Sequence, residues 1–200
     1  MNSTNLELKH QLLNQIETLG KEQSLLPFAD RSIDRIIEQL ENRSPISQPL
    51  KPEDLATLCG EWELVYASNG TVITRPIAEI ASAFGSAIRV NRIWQSLNSI
   101  DGEIIANNQA LVELPLLGEY KLNAEGVWRS QLDKRTSIVK FYLFSLQATQ
   151  FLSQSNWMLP EIQIPILDLL QNEAAWITSY LDENMRIGKG VTGNLFLFRR

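Results

Sequence analysis

The chain of 200 residues has a single cysteine, Cys59, and a single histidine, His10. One thiol excludes an internal disulfide, and the count fits a reducing compartment. One histidine and one cysteine are too few for a zinc site of the usual nitrogen and sulfur ligands. A Ser-His-Asp or Cys-His unit would have to recruit His10 from an N-terminal helix, so nucleophilic catalysis has no ready partner set. No apolar run approaches the roughly 18 residues of a membrane-crossing helix. Lysine and arginine total 18 against 23 acidic residues, a formal charge of −5, and no basic block stands out. Phosphate backbones select clustered cations, so nucleic acid is not an expected partner. The opening stretch MNSTNLELKHQLLNQIE has neither the apolar core of a secretory signal nor the Arg- and Ser-rich, acid-poor make-up of a transit peptide. The expectation is a protein acting in the compartment where it is made, with attachment to a membrane surface left open. Nothing in the chain calls for a cofactor.

What is present is apolar pattern. Hydrophobic residues make up 44%, enough for a real core. Leu6, Leu8, Leu12, Leu13, Ile16 and Leu19 recur at helical spacing, with Gly20 as a stop. Ile33, Ile36, Ile37 and Leu40 stripe a second helix over residues 30–41. NRSPISQPLKPED then breaks the pattern with three prolines, and Pro52 opens a short helix that ends near Gly60. The division predicted is an N-terminal helical segment, residues 1–50, packing on a β domain over residues 51–200.

From Gly60 the period becomes two. GEWELVYAS places Trp62, Leu64 and Tyr66 on one face and Glu61 and Glu63 on the other. RPIAEIASAFG reads as a short helix. Strands follow over residues 88–97, 103–114, 119–128 and 136–146, separated by turn signals. Strands joined in sequence, without long helices between them, favour an antiparallel meander closing into a β-barrel. The fold class is therefore mainly β with N-terminal helices. Residues 148–172 are apolar but broken by Pro160 and Pro165, and read as a long loop or short amphipathic helix. Strands resume at 177–181, 185–188 and 195–199. If the last pairs with the first, the C-terminus is the closing seam.

Trp62, Leu64 and Tyr66, with Val139, Phe141 and Leu143, are candidates for the inner wall, and Lys140 falls opposite. Trp94, Tyr120 and Trp128 are further candidates. Small barrels are filled by such side chains or hold one ligand among them, and pattern leaves both open. Arg92 is in register with Ile88, Val90 and Trp94. Facing inward, it would be a buried cation suited to a carboxylate or phosphate head group. On a bulge or at the rim, its stem packs and its head stays wet. Asp182 and Arg186 flank the DENM turn, as a polar site at the mouth or as a cross-hairpin ion pair or Asx-turn.

Two blocks resemble the plastid lipid-associated proteins, also called plastid fibrillins. The first is Gly60, Trp62, Leu64, Tyr66 and Ser68. The second is Thr178, Tyr180 to Asp182, Arg186, Ile187, Gly190 and Gly193. The resemblance covers residues 25–200, and without a transit peptide it points to a cyanobacterial member. It implies a lipocalin-like barrel with an apolar cavity and no catalysis. The expected ligand is a hydrophobic small molecule: a lipid, isoprenoid quinone or carotenoid. The expected ligand-binding set is Trp62, Leu64, Tyr66, Val90, Arg92, Trp94, Tyr120, Val139, Phe141, Leu143 and Tyr180. The implied location is cytoplasmic or peripheral to a thylakoid membrane, with residues 148–172 as lid or membrane-touching segment. An alternative is an interaction module docking an enzyme of quinone synthesis, such as a prenyl-diphosphate synthase; a bilin lyase is a third reading. By analogy with lipocalins, Arg199 or Arg200 is expected to cover Trp62 through a cation–π contact.

Overall fold

The computed structural model describes residues 3–25, 31–71, 89–114, 118–151, 160–164, 173–190 and 192–200. Three helices lead: α1 Ser3–Leu19, α2 Lys21–Leu25 and α3 Arg31–Glu41. Gly20, at φ +77°, takes the left-handed conformation that ends α1. A 3₁₀ turn, Pro52–Asp54, runs into α4, Leu55–Leu58. The strands are β1 Gly60–Ala67, β2 Arg89–Ile100, β3 Glu103–Leu114, β4 Gly118–Ser130, β5 Thr136–Phe151, β6 Ile162–Ile164, β7 Ala174–Leu181, β8 Met185–Gly190 and β9 Leu195–Arg199.

All described pairings are antiparallel. Among the described residues the order runs β1–β2–β3–β4–β5–β7–β8–β9 and back to β1, so the sheet closes in a ring. β9 pairs with both β1 and β8, so the last strand meets the first and the C-terminal strand is the closing seam, as expected. Tight turns hold the meander. Asp101 and Gly102 both take positive φ, as a two-residue hairpin turn of the SIDGE type requires. At the next hairpin the Asp133 carboxylate accepts from the backbone amides of Arg135 (3.1 Å) and Thr136 (2.9 Å) and from the Thr136 hydroxyl (2.6 Å).

Three elements differ from expectation. β2 extends to Ile100 and β5 to Phe151, so residues 148–151 are strand rather than the start of a loop. β6 lies within the segment read as loop or amphipathic helix. It is three residues long, sits between Pro160 and Pro165, and pairs along one side only, on Phe144–Leu146 of β5. Proline restricts a strand to such an edge place. The helix expected over 75–85, and residues 152–159 and 165–172 of the expected lid or membrane-touching segment, lie outside the described residues.

The molecule has two main apolar layers. Inside the ring are Trp62, Leu64, Val90, Ile93, Leu97, Ile104, Trp128, Val139 and Phe198. Leu50 and Leu58 join this cluster, so the segment before β1 plugs one end of the ring. The Leu50 amide bonds the Lys134 carbonyl (3.0 Å), and the Trp62 Nε1 donates to the Leu58 carbonyl (2.8 Å). Outside the ring, Leu12 and Ile16 of α1 and Ile33, Ile36, Ile37 and Leu40 of α3 cover Tyr66, Tyr180, Met185, Ile187, Leu195 and Leu197. The central strands of the seam are therefore buried on both faces. No described helix is long and apolar enough to cross a membrane.

Candidate functional site

The ring interior is built by alternate residues of each strand, and bulges decide which residues those are. Trp62 and Leu64 of β1 face inward. The register with β9 then slips between Leu64 and Tyr66. An inserted residue turns the chain over, so Tyr66 leaves the interior and enters the layer beneath the helices, where its hydroxyl bonds the Asp34 carboxylate (3.1 Å). The expected Trp62–Leu64–Tyr66 face is corrected at its third member.

β2 repeats the device. Its register with β3 slips between Val90 and Arg92. Val90 points inward with Ile93 and Leu97, whereas Arg92 and Trp94 lie on the outside. Arg92, with 41% of its side chain exposed, pairs with Glu61 at 2.7 Å and lies 4.8 Å over the Trp94 ring. Lys121 covers the same ring at 5.9 Å. Arg92 is thus a wet surface cation, not an interior anchor, and Trp94 is an outer-face aromatic beneath two cations.

On β5, Val139 and Phe141 face inward opposite Trp128 and Gly126, and Lys140 is exposed. The β4–β5 register slips there too, leaving Leu143 opposite Glu125 and Phe144 opposite Ala124. Phe144 rather than Leu143 continues the wall, 5.8 Å from Phe141. Gly126 has to be glycine under this bulge, since a Cβ would lie 2.9 Å from the Lys140 carbonyl oxygen. Tyr120 is half-buried between Val112 and Ala148. Tyr180 follows another slip, between Thr178 and Tyr180, and lies under the helices.

Asp182 and Arg186 do not pair; they occupy opposite sides of the sheet. Asp182 receives Lys9 of α1 (2.7 Å), the Tyr180 hydroxyl (2.6 Å) and the amides of Asn184 (2.9 Å) and Met185 (2.8 Å). Burial pushes its carboxyl upward, but the bonds from Lys9, Tyr180 and Asn184 outweigh it and hold the pKa below the usual value. Burial, reinforced by the Asp182 bond, raises the Tyr180 phenol.

Arg186 is fully buried inside the ring. Its guanidinium lies 4.2 Å from the Phe198 ring centre, 5.3 Å from Trp62 and 5.8 Å from Trp128. Nη2 donates to Gln95 Oε1, and Gln95 in turn donates to Asn108 (2.5 Å). Burial, with Arg200 nearby, pushes the Arg186 pKa down to about 9. Arg200 stacks 4.0 Å from the Trp62 ring centre and donates to the carbonyls of Thr57 (3.0 Å) and Cys59. Of the two terminal arginines, Arg200 is the one that covers Trp62. A groove lined by Gln11, Asn14, Gln15, Thr18, Leu19 and Ser32 lies on the helices and has none of this aromatic wall. Among the described residues no cluster of three or more His, Cys, Asp and Glu side chains could hold a metal.

A family model described as PAP_fibrillin matches residues 6–199. The chain belongs to the PAP_fibrillin family. It is similar to "Probable plastid-lipid-associated protein 5, chloroplastic" of Arabidopsis thaliana, 25% identical over 119 residues, covering 55% of this chain and 50% of the relative. The chain thus spans about half the length of that curated relative. No solved structure matches it. In this PAP_fibrillin chain, Arg186, Gln95, Phe144 and Trp176, which packs on the inner cluster 5.7 Å from Trp128, shape the interior, and sequence reading did not place them there. In MRIGKG the apolar Met185 and Ile187 alternate with Arg186 and Gly188, which suggests Arg186 on a solvent face. Helices cover the outer face instead, so alternation carried no signal for the inside.

Proposed function

We propose that this chain binds a hydrophobic small molecule, such as a lipid, isoprenoid quinone or carotenoid, within a lipocalin-like barrel, without catalysis. The observation that carries the reading is the aromatic and aliphatic inner wall: Trp62, Leu64, Val90, Val139, Phe141 and Phe144. Apolar surface of this kind recognises ligand by burial, at about 25 cal/mol per Å² before ordering costs. Leu50 and Leu58 plug one end, and we place the entry of the ligand at the other. The relative's name, a plastid-lipid-associated protein, supports the same ligand class. Work at or near a photosynthetic membrane, as a peripheral rather than a spanning protein, fits this reading.

The test is gentle purification from the native host, solvent extraction and mass spectrometry. A stoichiometric quinone, carotenoid or acyl lipid, lost in a folded Phe141→Arg variant, is expected. Phe141 is the control site because it faces the interior opposite Gly126. An empty extract from well-folded protein, together with no uptake of added apolar ligand, overturns the reading.

A further inference from the structure

The inside of the ring is not uniformly apolar. Nε and Nη1 of Arg186 have no hydrogen-bond partner. Nor do Trp176 Nε1, Thr178 Oγ1 and Ser137 Oγ, all buried. These residues share one inner face on three neighbouring strands. Ser137 on β5 is the register partner of Trp176 on β7. Thr178 is the register partner of Gly188 on β8, and the Trp176 ring lies where a Gly188 Cβ would be, 2.0 Å from its Cζ2. Arg186 is the next inward position along β8.

The seam has an excess of donors. Arg186 and Trp176 can only donate, the Ser137 and Thr178 hydroxyls, which could accept, bond to neither of them, and the Gln95 oxygen is already engaged by Nη2. Among the described residues no carboxylate pairs with Arg186, and its charged neighbour Arg200 has the same sign. A buried cation ordinarily has a counter-charge, and buried donors ordinarily have acceptors. The aromatic rings of Trp62, Trp128 and Phe198 offset part of the charge but accept none of these N–H groups in strong hydrogen bonds.

We infer that Arg186 and Trp176 form a site for the anionic oxygen head group of a single-chain amphiphile, a carboxylate or a phosphate monoester. The apolar tail lies along Val139, Phe141 and Phe144, away from the end plugged by Leu50 and Leu58. Arginine suits either head group because its planar fork supplies several charge-assisted bonds at once. This inference rests on the interior-binding reading and adds the head group to it.

The experiment titrates the purified full chain with oleate, oleyl phosphate and oleyl alcohol, three ligands sharing a tail, and follows tryptophan fluorescence. At least one anion is expected to bind about tenfold or more tighter than the alcohol. Which anion wins distinguishes carboxylate from phosphate. Arg186→Met is expected to abolish that preference, and Arg186→Lys to retain part of it. If the alcohol binds as tightly as both anions, the head-group site is overturned and the apolar cavity stands. If the anion preference survives in folded Arg186→Met, Arg186 is not the anchor. If none of the three binds, the cavity reading itself falls and the inference with it. If neither Arg186 variant folds, the wild-type comparison still overturns the site when the alcohol binds as tightly as both anions.

Discussion

Arg200 holds Trp62 from the plugged end of the ring, with its guanidinium 4.0 Å from the indole centre and two carbonyls as further partners. Arg199 is exposed and reaches Glu63 only at 3.9 Å. Replacing Arg200 with Ala should lower stability by about 1 kcal/mol or more. Arg199→Ala should cost no more than about 0.5 kcal/mol. Urea denaturation of both variants checks the contrast. Gly188→Ala is harsher, because the new methyl would overlap the Trp176 ring. It should cost about 1–3 kcal/mol and shift the tryptophan emission, since the indole must move out of its stack with Trp128 (5.7 Å) and Phe196 (5.1 Å). Unchanged emission and melting would show that the ring has room to relax. Single residues were the least legible part of the sequence. Trp62, Leu64, Val90, Val139 and Phe141 follow from alternation, but Tyr66, Arg92, Trp94, Leu143 and Tyr180 each come beside a bulge. A bulge needs one extra residue and leaves no fixed composition behind it, so period-two counting fails one position later.

At the scale of elements, the helices and the seam strands share one apolar layer, and the Lys9–Asp182 pair ties α1 to the β7–β8 turn. Both side chains are less than a tenth exposed. Lys9→Met would strand the carboxylate, at about 3–5 kcal/mol. The pair also sets a pH dependence. The folded pKa of Asp182 lies below its ordinary value, so its stabilisation is complete above the ordinary carboxylate pKa. It fades as pH falls through the depressed folded value. The wild type should therefore lose melting temperature on acidification below about pH 4, and Lys9→Met should lose less over the same range. Parallel acid dependence in the two proteins would place the titration elsewhere. The elements themselves were readable: the stripe of Ile33, Ile36, Ile37 and Leu40 gives α3, and the SIDGE turn separates β2 from β3. β6 was not, because three residues between prolines carry too little pattern to separate an edge strand from a loop.

Over the whole molecule, closure depends on the last five-residue strand. β9 supplies the inward Phe198 and the helix-facing Leu195 and Leu197, and its two edges satisfy β1 and β8. The sequence showed this in outline, since LFLFR is a short apolar run of strand-forming residues where a chain end usually loses order. What it could not show is that the seam is covered outside by α1 and α3. That contact joins residues far apart in the chain, and no local spacing encodes it. Removing residues 195–200 would open two hydrogen-bonding edges at once, expose part of both apolar layers, and take away Arg200 from Trp62. The loss is distributed over the core rather than confined to a frayed end, so the truncated protein is expected to be unfolded or aggregated. Circular dichroism and size-exclusion chromatography read the outcome directly. A truncated chain that stayed monomeric, with the wild-type melting temperature, would mean that the ring does not depend on β9 for closure.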